Sequence, residues 1–433
     1  MKTKRLSQVL FPLLAVIMSV ALIFGCAAPE AAPPPVTEED VTARPAIGVV
    51  RGFTITDLTG PTCDTCILHY NATVDYLKEL NEAGGIIYDD PKTGKKERVT
   101  FEYDFADCKA QAGPVPSQYE RLSTASPKPV IYFAGCTAAS MACIPFTERD
   151  HIVQLSGMSN QAIWWPPRWA FCMIPDYAGL ACTGAWWAMK DWEAKGKSGT
   201  PNWAWFTLDI PFGRAMITEP SEAYIEGLGF NIVGLFTMPF APVDLSAELM
   251  AMDKAGANYF YGNNLPQQQA VIMKNLTGTD LKSKIQAIAN PFGIADDIVD
   301  KAGTDANGLV GAHFSAFPAE TDRPGIKAAT ELAARNNRSM STDYALGLGV
   351  ALMLTEPVKR ALEAKGYPIT GDDVYEAFLD PNGYDIFGGI IGELSWTENE
   401  RRGLWTTYMR AVEDGKIVRI SEDFHIPDMK PQE

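Results

Sequence analysis

The sequence predicts an α/β protein built as two lobes around parallel sheets. Three observations carry this. Short apolar runs of strand length recur along the chain and alternate with intervals long enough for a helix, the rhythm of parallel sheets covered on both faces. About nine such runs occur, more than one sheet comfortably holds. About 390 of the 433 residues remain once an N-terminal leader and tether are set aside, too many for one compact core.

The runs fall at 47–50, 99–103, 130–133, 152–155, 203–208, 232–236, 259–261, 285–289 and 309–312. Between the first two, the segment 67–80 places Ile67, Tyr70, Val74 and Leu77 on one helical face. Gly84 and Gly85 end that helix by supplying a left-handed cap. Near the C-terminus, 343–354 is rich in Ala, Leu and Gly and predicts a helix ended by Pro357. The runs 404–412 and 416–420 flank Asp414-Gly415, a hairpin turn signal. No internal repeat is present.

Lys2, Lys4 and Arg5 form a basic head before an apolar run, from about residue 9 to 24, that ends at Ile23-Phe24-Gly25-Cys26. The run is shorter than the ~20 residues of a spanning helix, and small residues at such a site mark a secretory cleavage signal. A Cys directly after Gly resembles the bacterial lipobox, which implies acylation of Cys26 and a mature N-terminus there. An uncleaved signal anchor is the alternative. Residues 27–45 are dominated by Ala, Pro and Glu without apolar periodicity and predict an extended tether. The expected organisation is thus a signal peptide at 1–25 and a flexible tether at 26–45.

The net charge is −16 and about −19 once the three leader cations are removed, which argues against nucleic acid or anionic lipid as a partner. Seven cysteines besides Cys26 remain: Cys63, Cys66, Cys108, Cys136, Cys143, Cys172 and Cys182. Export permits disulfides, and an odd number leaves at least one thiol without a partner in the chain. Cys63-Asp64-Thr65-Cys66 has no second ligand pair at zinc-site spacing, and His69 is the imidazole nearby, so no metal is expected.

Several segments, in order, resemble the type I periplasmic binding proteins, in the leucine and branched-chain amino acid branch. They are Leu58-Thr59-Gly60-Pro61 after the first strand, Leu80-Asn81-Glu82-Ala83-Gly84-Gly85-Ile86, and the acidic stretch from Asp104 to Cys108. Gly135-Cys136-Thr137-Ala138-Ala139-Ser140, Leu155-Ser156-Gly157-Met158-Ser159-Asn160, Asp209-Ile210-Pro211-Phe212-Gly213 and Gly392-Glu393-Leu394-Ser395-Trp396 follow. The likeness spans about residues 46 to 420. It implies two Rossmann-like lobes joined by three crossover strands, near 171–175, 312–316 and 392–395. The N-terminal lobe is then 46–173 plus 316–391 and the C-terminal lobe 174–315 plus 392–425. Ligand is expected in the cleft, at the carboxyl ends of strands.

The loop from Gly135 to Ser140 precedes a predicted helix, and free N–H groups at a helix start favour an anion. In the family this loop and the one after the next strand hold the ligand's carboxylate. The resemblance therefore assigns Cys136 and Thr137 to one side and Met158, Ser159 and Asn160 to the other. Ordinary N-capping is the alternative for Thr137. In the second lobe the resemblance places Phe212 and Asn264 where the family has tyrosines, and Phe292 where it has the acid that meets the ligand's ammonium. A ligand without a free α-ammonium is the expectation, because an unpaired buried ammonium is costly. Asp64 is included as a candidate acid at the cleft, with Asp57, Asp209 and Asp296 as others whose position would change that reading. Of Trp164, Trp165, Trp169, Trp186 and Trp187, at most two are expected near ligand. The resemblance also implies a Cys108–Cys136 disulfide. The partners of Cys63, Cys66, Cys143, Cys172 and Cys182 stay unassigned, with Cys63–Cys66 and Cys172–Cys182 open as local pairs.

The function implied is an extracytoplasmic, lipid-anchored solute-binding protein of an ABC importer. Its partners are a small molecule and permease subunits, with no cofactor and a monomeric state. A sensor presenting ligand to a receptor is the alternative. Catalysis is not expected: the four histidines fall in unrelated segments, and Gly347-Leu348-Gly349 lacks the third glycine of a dinucleotide loop.

Overall fold

The computed structural model of the chain describes residues 41–431. The predicted signal segment, Cys26 and the tether up to residue 40 lie outside the described residues. The first sheet contains β1 (Gly48–Thr56), β2 (Ile86–Asp90), β3 (Lys95–Asp107), β4 (Ile131–Ala134), β5 (Val153–Ser156) and β6 (Ala170–Cys172), in the order β2-β3-β1-β4-β5-β6. Every pairing in it is parallel except the β2–β3 hairpin.

The second sheet contains β7 (Asn202–Leu208), β8 (Asn231–Met238), β9 (Tyr259–Gly262), β10 (Gln286–Ala289), β11 (Val310–His313), β12 (Thr406–Glu413), β13 (Lys416–Arg419) and β14 (Phe424–His425). Its order is β13-β12-β11-β10-β9-β7-β8, with β14 also on β12. β7 to β11 are parallel, and β12 runs antiparallel to β11, β13 and β14. This is a two-lobe α/β fold. β4, β5, β9 and β11 are buried along their whole length, as strands covered on both faces must be.

The chain leaves the first sheet after β6 and builds β7 to β11. It then returns to lay the helix Thr342–Lys365 along the helix Cys63–Glu82 and β2. It crosses again to form β12. The crossing segments are hydrogen-bonded to one another: Cys172 N–H donates to Arg401 O at 2.8 Å, Gly403 N–H to Cys172 O at 2.9 Å, and Ala316 N–H to Ile390 O at 2.8 Å. The C-terminal residues lie back over this junction. Ile426 packs on Gly179, Met429 is buried, and its carbonyl accepts from Gln161 Nε2 at 3.0 Å.

Four sequence expectations are corrected. β1 runs to Thr56 rather than ending at residue 50, because its polar positions are satisfied inside the sheet: Thr54 Oγ1 donates to Phe133 O at 2.9 Å. The β2–β3 hairpin was not expected, since Asp89, Asp90 and Lys95 interrupt the apolar pattern. The predicted helix end at Pro357 is wrong. The helix spans Thr342–Lys365, and Val358, Ala361 and Leu362 beyond the proline are buried. Tertiary packing there outweighs the lost backbone bond. Finally, the tether's last residues are docked. Val41 is buried, Arg98 Nε donates to Arg44 O at 2.8 Å, and Arg44 donates to Lys96 O at 2.7 Å.

Two glycine sites matter for position. Gly84 and Gly85 both have positive φ after Cys63–Glu82, and a Cβ on Gly85 would meet Val99 O at 2.1 Å. A Cβ on Gly347 would stand 2.6 Å from His69 O, so this glycine serves close helix packing.

Candidate functional site

A cavity of about 150 Å³ lies between the two sheets. Its walls are loops at the carboxyl ends of parallel strands in both lobes, the place where open α/β sheets hold ligands. The first lobe contributes Thr62, Thr65 and Cys66 after β1, Cys136 and Thr137 after β4, and Met158 after β5. The second contributes Ile210 and Phe212 after β7, Phe240 after β8, Leu265 after β9 and Phe292 after β10.

On the first-lobe wall, the helix Thr137–Asp150 starts at the cavity. Its N-cap, Cys136, is extended and gives no side-chain cap bond. Ser140 N–H is the first in the helix to bond back, to Cys136 O at 2.9 Å, which leaves the first-turn amides without helical acceptors. Thr137 therefore stands at the first helical position and does not cap, against the capping alternative. Its Oγ1 is buried without a hydrogen bond of acceptable geometry. The Tyr177 hydroxyl beside it donates to Met158 Sδ at 3.0 Å. Cys66 Sγ donates to Gly135 O at 3.4 Å, and burial pushes its thiol up to about 12.

The second-lobe wall is aromatic. Phe212 and Phe292 pack edge to face with centroids 6.0 Å apart, and Tyr177 meets Phe212 the same way at 5.6 Å. No Asp, Glu, Lys or Arg lines the cavity among the described residues. The acids named from sequence are occupied elsewhere. Asp57 accepts Gly60 N–H at 2.5 Å and Thr62 N–H and Oγ1 at 2.7 Å, holding the Leu58–Pro61 turn. Asp209 pairs with Arg214 at 2.6 Å in solvent. Asp296 Oδ2 accepts Thr342 N–H at 2.5 Å, a bond between the lobes.

The structure thus brings Cys136, Thr137, Met158, Phe212 and Phe292 together and leaves four expected residues off the cavity wall. Asp64 is exposed in the first turn of Cys63–Glu82. Asn160 caps the short helix Gln161–Trp164, accepting Ala162 N–H at 2.9 Å. Ser159 is fully buried beside Cys172. Asn264 points back into its lobe, donating to Phe206 O at 3.1 Å. None of the five tryptophans lines the cavity.

The expected disulfides are not formed, and all seven described cysteines are thiols. Cys108 Sγ and Cys136 Sγ lie 3.3 Å apart, beyond the ~2.05 Å of a bond. The contact raises Cys136 well above its ordinary range, aided by burial, and lowers Cys108.

Beneath this site, at the junction of the lobes, Arg402 is wholly buried between the rings of Trp164 and Trp405, at 4.1 and 4.3 Å. It pairs with Glu400 at 2.8 Å and Asp428 at 2.7 Å. Asp176 caps the helix Tyr177–Ala194 nearby through Ala178 and Gly179 N–H, both at 3.3 Å. Burial raises Asp176 to about 7, with Arg402 opposing the shift.

Comparison with solved structures places this architecture. A branched-chain amino acid ABC transporter protein from Thermus thermophilus, with bound valine, aligns over 87% of this chain and 96% of its own, at 24% identity and TM-score 0.76. A fatty acid ABC transporter substrate-binding protein from Thermomonospora curvata aligns over 90% and 94%, at 17% identity and TM-score 0.72. A solute-binding protein from Rhodopseudomonas palustris BisB5, in complex with 3,4-dihydroxybenzoic acid, aligns over 88% and 99%, at 19% identity and TM-score 0.70. No curated protein matches the sequence. The periplasmic binding protein family model matches residues 54–416, most of the chain and strands of both sheets, and this identifies the chain as a member of the periplasmic binding protein family.

Proposed function

We propose that the protein is the solute-binding component of an ABC importer, capturing a small organic acid or amide that carries an apolar or aromatic body and no free ammonium. The observation that carries this is the cavity wall: Phe212, Phe240 and Phe292 on one side, hydroxyls and helix amides on the other, and no ionisable carboxylate among its described residues. An ammonium would lose water there without gaining a partner. A carboxylate or carbonyl would meet Thr137 and the first-turn amides. The volume is of the order at which an apolar cavity holds benzene, which suits one ring or a short branched chain. Two of the structural neighbours carry ligands or names of this kind, a dihydroxybenzoate and a fatty acid. Valine in the third is the contrary precedent.

Titration calorimetry with leucine and its deaminated analogue 4-methyl-2-oxopentanoate, alongside benzoate, tests the reading. The acids without ammonium are expected to bind, and at a hundred times Kd to stabilise by about 2.7 kcal/mol. Tight leucine binding with weak binding of both acids would show that an acidic partner reaches the cleft.

Two further proposals concern cysteines. Acylation at Cys26 anchors the protein to the membrane. Cys26→Ser is expected to abolish incorporation of labelled palmitate, and unchanged labelling would remove the anchor. Among the described residues no helix is long and apolar enough to cross a membrane. On oxidation, Cys108 and Cys136 are expected to close into a disulfide from their 3.3 Å contact, stabilising by roughly 3 kcal/mol. Peptide mapping after mild oxidation checks it, and a bridge that instead joins Cys136 to Cys66 or Cys143 would contradict the pairing.

A further inference from the structure

The three phenylalanines of the cavity wall belong to three different loops, and nothing in a phenylalanine side chain fixes where its loop sits. Two of these loops are gripped by buried amide side chains from one short stretch. Asn263 Nδ2 donates to Phe212 O at 3.0 Å. Gln268 Nε2 donates to Phe240 O at 2.6 Å, while its Oε1 accepts Leu265 N–H at 3.0 Å. Gln268 thus spans two residues that both line the cavity. Asn263 and Gln268 are themselves wholly buried and are absent from the cavity wall.

We infer that Asn263 and Gln268 are positioning residues that set the spacing of the aromatic wall, and through it the preference of the site between flat and branched ligands. They act on the backbone carbonyls of Phe212 and Phe240, not on ligand. The strand ends need neither amide for pairing, since β7, β8 and β9 hold one another by backbone bonds. What the amides fix is the first few residues past those strands. A ring fits between Thr137 and the phenylalanines only if the wall stands at one distance. A branched chain tolerates another. This inference rests on the proposed ligand class for its binding readout, though not for its structural one.

The test compares Asn263→Ala and Gln268→Ala with Asn202→Ala, whose side chain makes a similar tie, to Gly256 O at 2.8 Å, at the far end of β7. Calorimetry with benzoate and 3-methylbutanoate gives the ratio of the two Kd values. That ratio is expected to change tenfold or more in each wall variant and to stay within twofold in Asn202→Ala. Equal weakening of both probes would reduce the amides to general support and overturn the inference. Crystal structures of the ligand-free variants supply the second readout. The Phe212–Phe292 separation in Asn263→Ala, or the position of Phe240 against Leu265 in Gln268→Ala, is expected to move by more than about 1 Å. An unmoved wall overturns the inference whether or not either acid binds. If the unmodified protein binds neither acid, the proposed ligand class fails, and the wall geometry alone decides the role of the two amides.

Discussion

Replacing Arg402 with alanine is expected to destabilise the protein by about 3–5 kcal/mol, the usual cost of leaving buried partners of a charge uncompensated. Its guanidinium is wholly buried and answers Glu400 and Asp428, with Asp176 near enough to feel its charge. Asp428 is largely exposed and recovers solvation when the arginine is lost, so most of the penalty falls on Asp176 and on Glu400, which keeps Lys430 at 3.3 Å as its remaining cation. The stacking of the guanidinium between Trp164 and Trp405 is lost as well. The loss has a pH signature. Asp176 ionises near 7 in the folded protein, against 3.8 ordinarily, because burial disfavours its charge. Between those values the unfolded chain has released a proton that the folded chain keeps, so this group's contribution to stability falls as pH rises. Without Arg402 that carboxyl is pushed higher still and the falling window extends upward. Glu400 is normally held low by its Arg402 hydrogen bonds, against the raising effect of burial. In the variant Lys430, 3.3 Å away, and the backbone N–H of residue 402 still lower it, but the side-chain bonds are gone and part of the stability it gives above its ordinary range is lost. Thermal unfolding at about pH 5 and pH 8 should therefore show the Tm deficit of Arg402→Ala growing with pH. A deficit that is small, or equal at both, would remove this network from the account of stability.

Phe292→Asp is expected to weaken a bound carboxylic acid by a hundredfold or more and to admit leucine. Two like charges about 4 Å apart repel by about 4 kcal/mol at an effective dielectric of 20, and no cation lines the cavity among the described residues to absorb this. The same carboxylate would give an ammonium the partner it now lacks. Phe292→Leu serves as the control for lost ring contact, with an expected loss of about tenfold or less. Calorimetry with benzoate, 4-methyl-2-oxopentanoate and leucine on both variants checks the pattern. Equal acid affinity in the Asp and Leu variants would mean that charge at this wall does not govern selection.

The two-lobe plan was legible because buried parallel strands leave short apolar runs that need no alternation, and all of the nine predicted runs overlap strands of the two sheets. What escaped was structure whose justification lies elsewhere in the chain. Thr54 and Thr56 look unlike a buried strand until Phe133 O accepts the Thr54 hydroxyl. Pro357 looks like a helix end until the residues beyond it are packed. The docked residues 41–45 read as tether because Arg44 and Arg98 meet only in three dimensions.

The cavity was half legible for a similar reason. Cys136, Thr137, Met158, Phe212 and Phe292 were named from the family resemblance, and all five line the cavity just past strand ends. Phe240 and Leu265 follow strand ends as well, and the position rule for open sheets would have named them. Phe240 was missed because the run at 232–236 was cut short, whereas β8 runs Asn231–Met238 and brings that phenylalanine to the rim. Asn160 and Asn264 were placed at the site by the family resemblance, but Asn160 serves a helix start and Asn264 a neighbouring carbonyl. Thr62, Thr65 and Cys66 carried no signal for the cavity beyond their place after β1.

The last residues of the chain bear on how the protein can be instrumented. Ile426 and Met429 are buried and Asp428 reaches Arg402, while Met429 O is held by Gln161 of the first lobe. A reporter fused at the C-terminus is therefore mounted on a segment that touches both lobes, and its orientation follows their relative movement. A dye at the Asp414–Gly415 turn between β12 and β13 rides on the second lobe alone. Paired with a label at the β2–β3 turn of the first lobe, around Gly94, it would measure domain separation as a distance, and the C-terminal fusion would measure it as an angle.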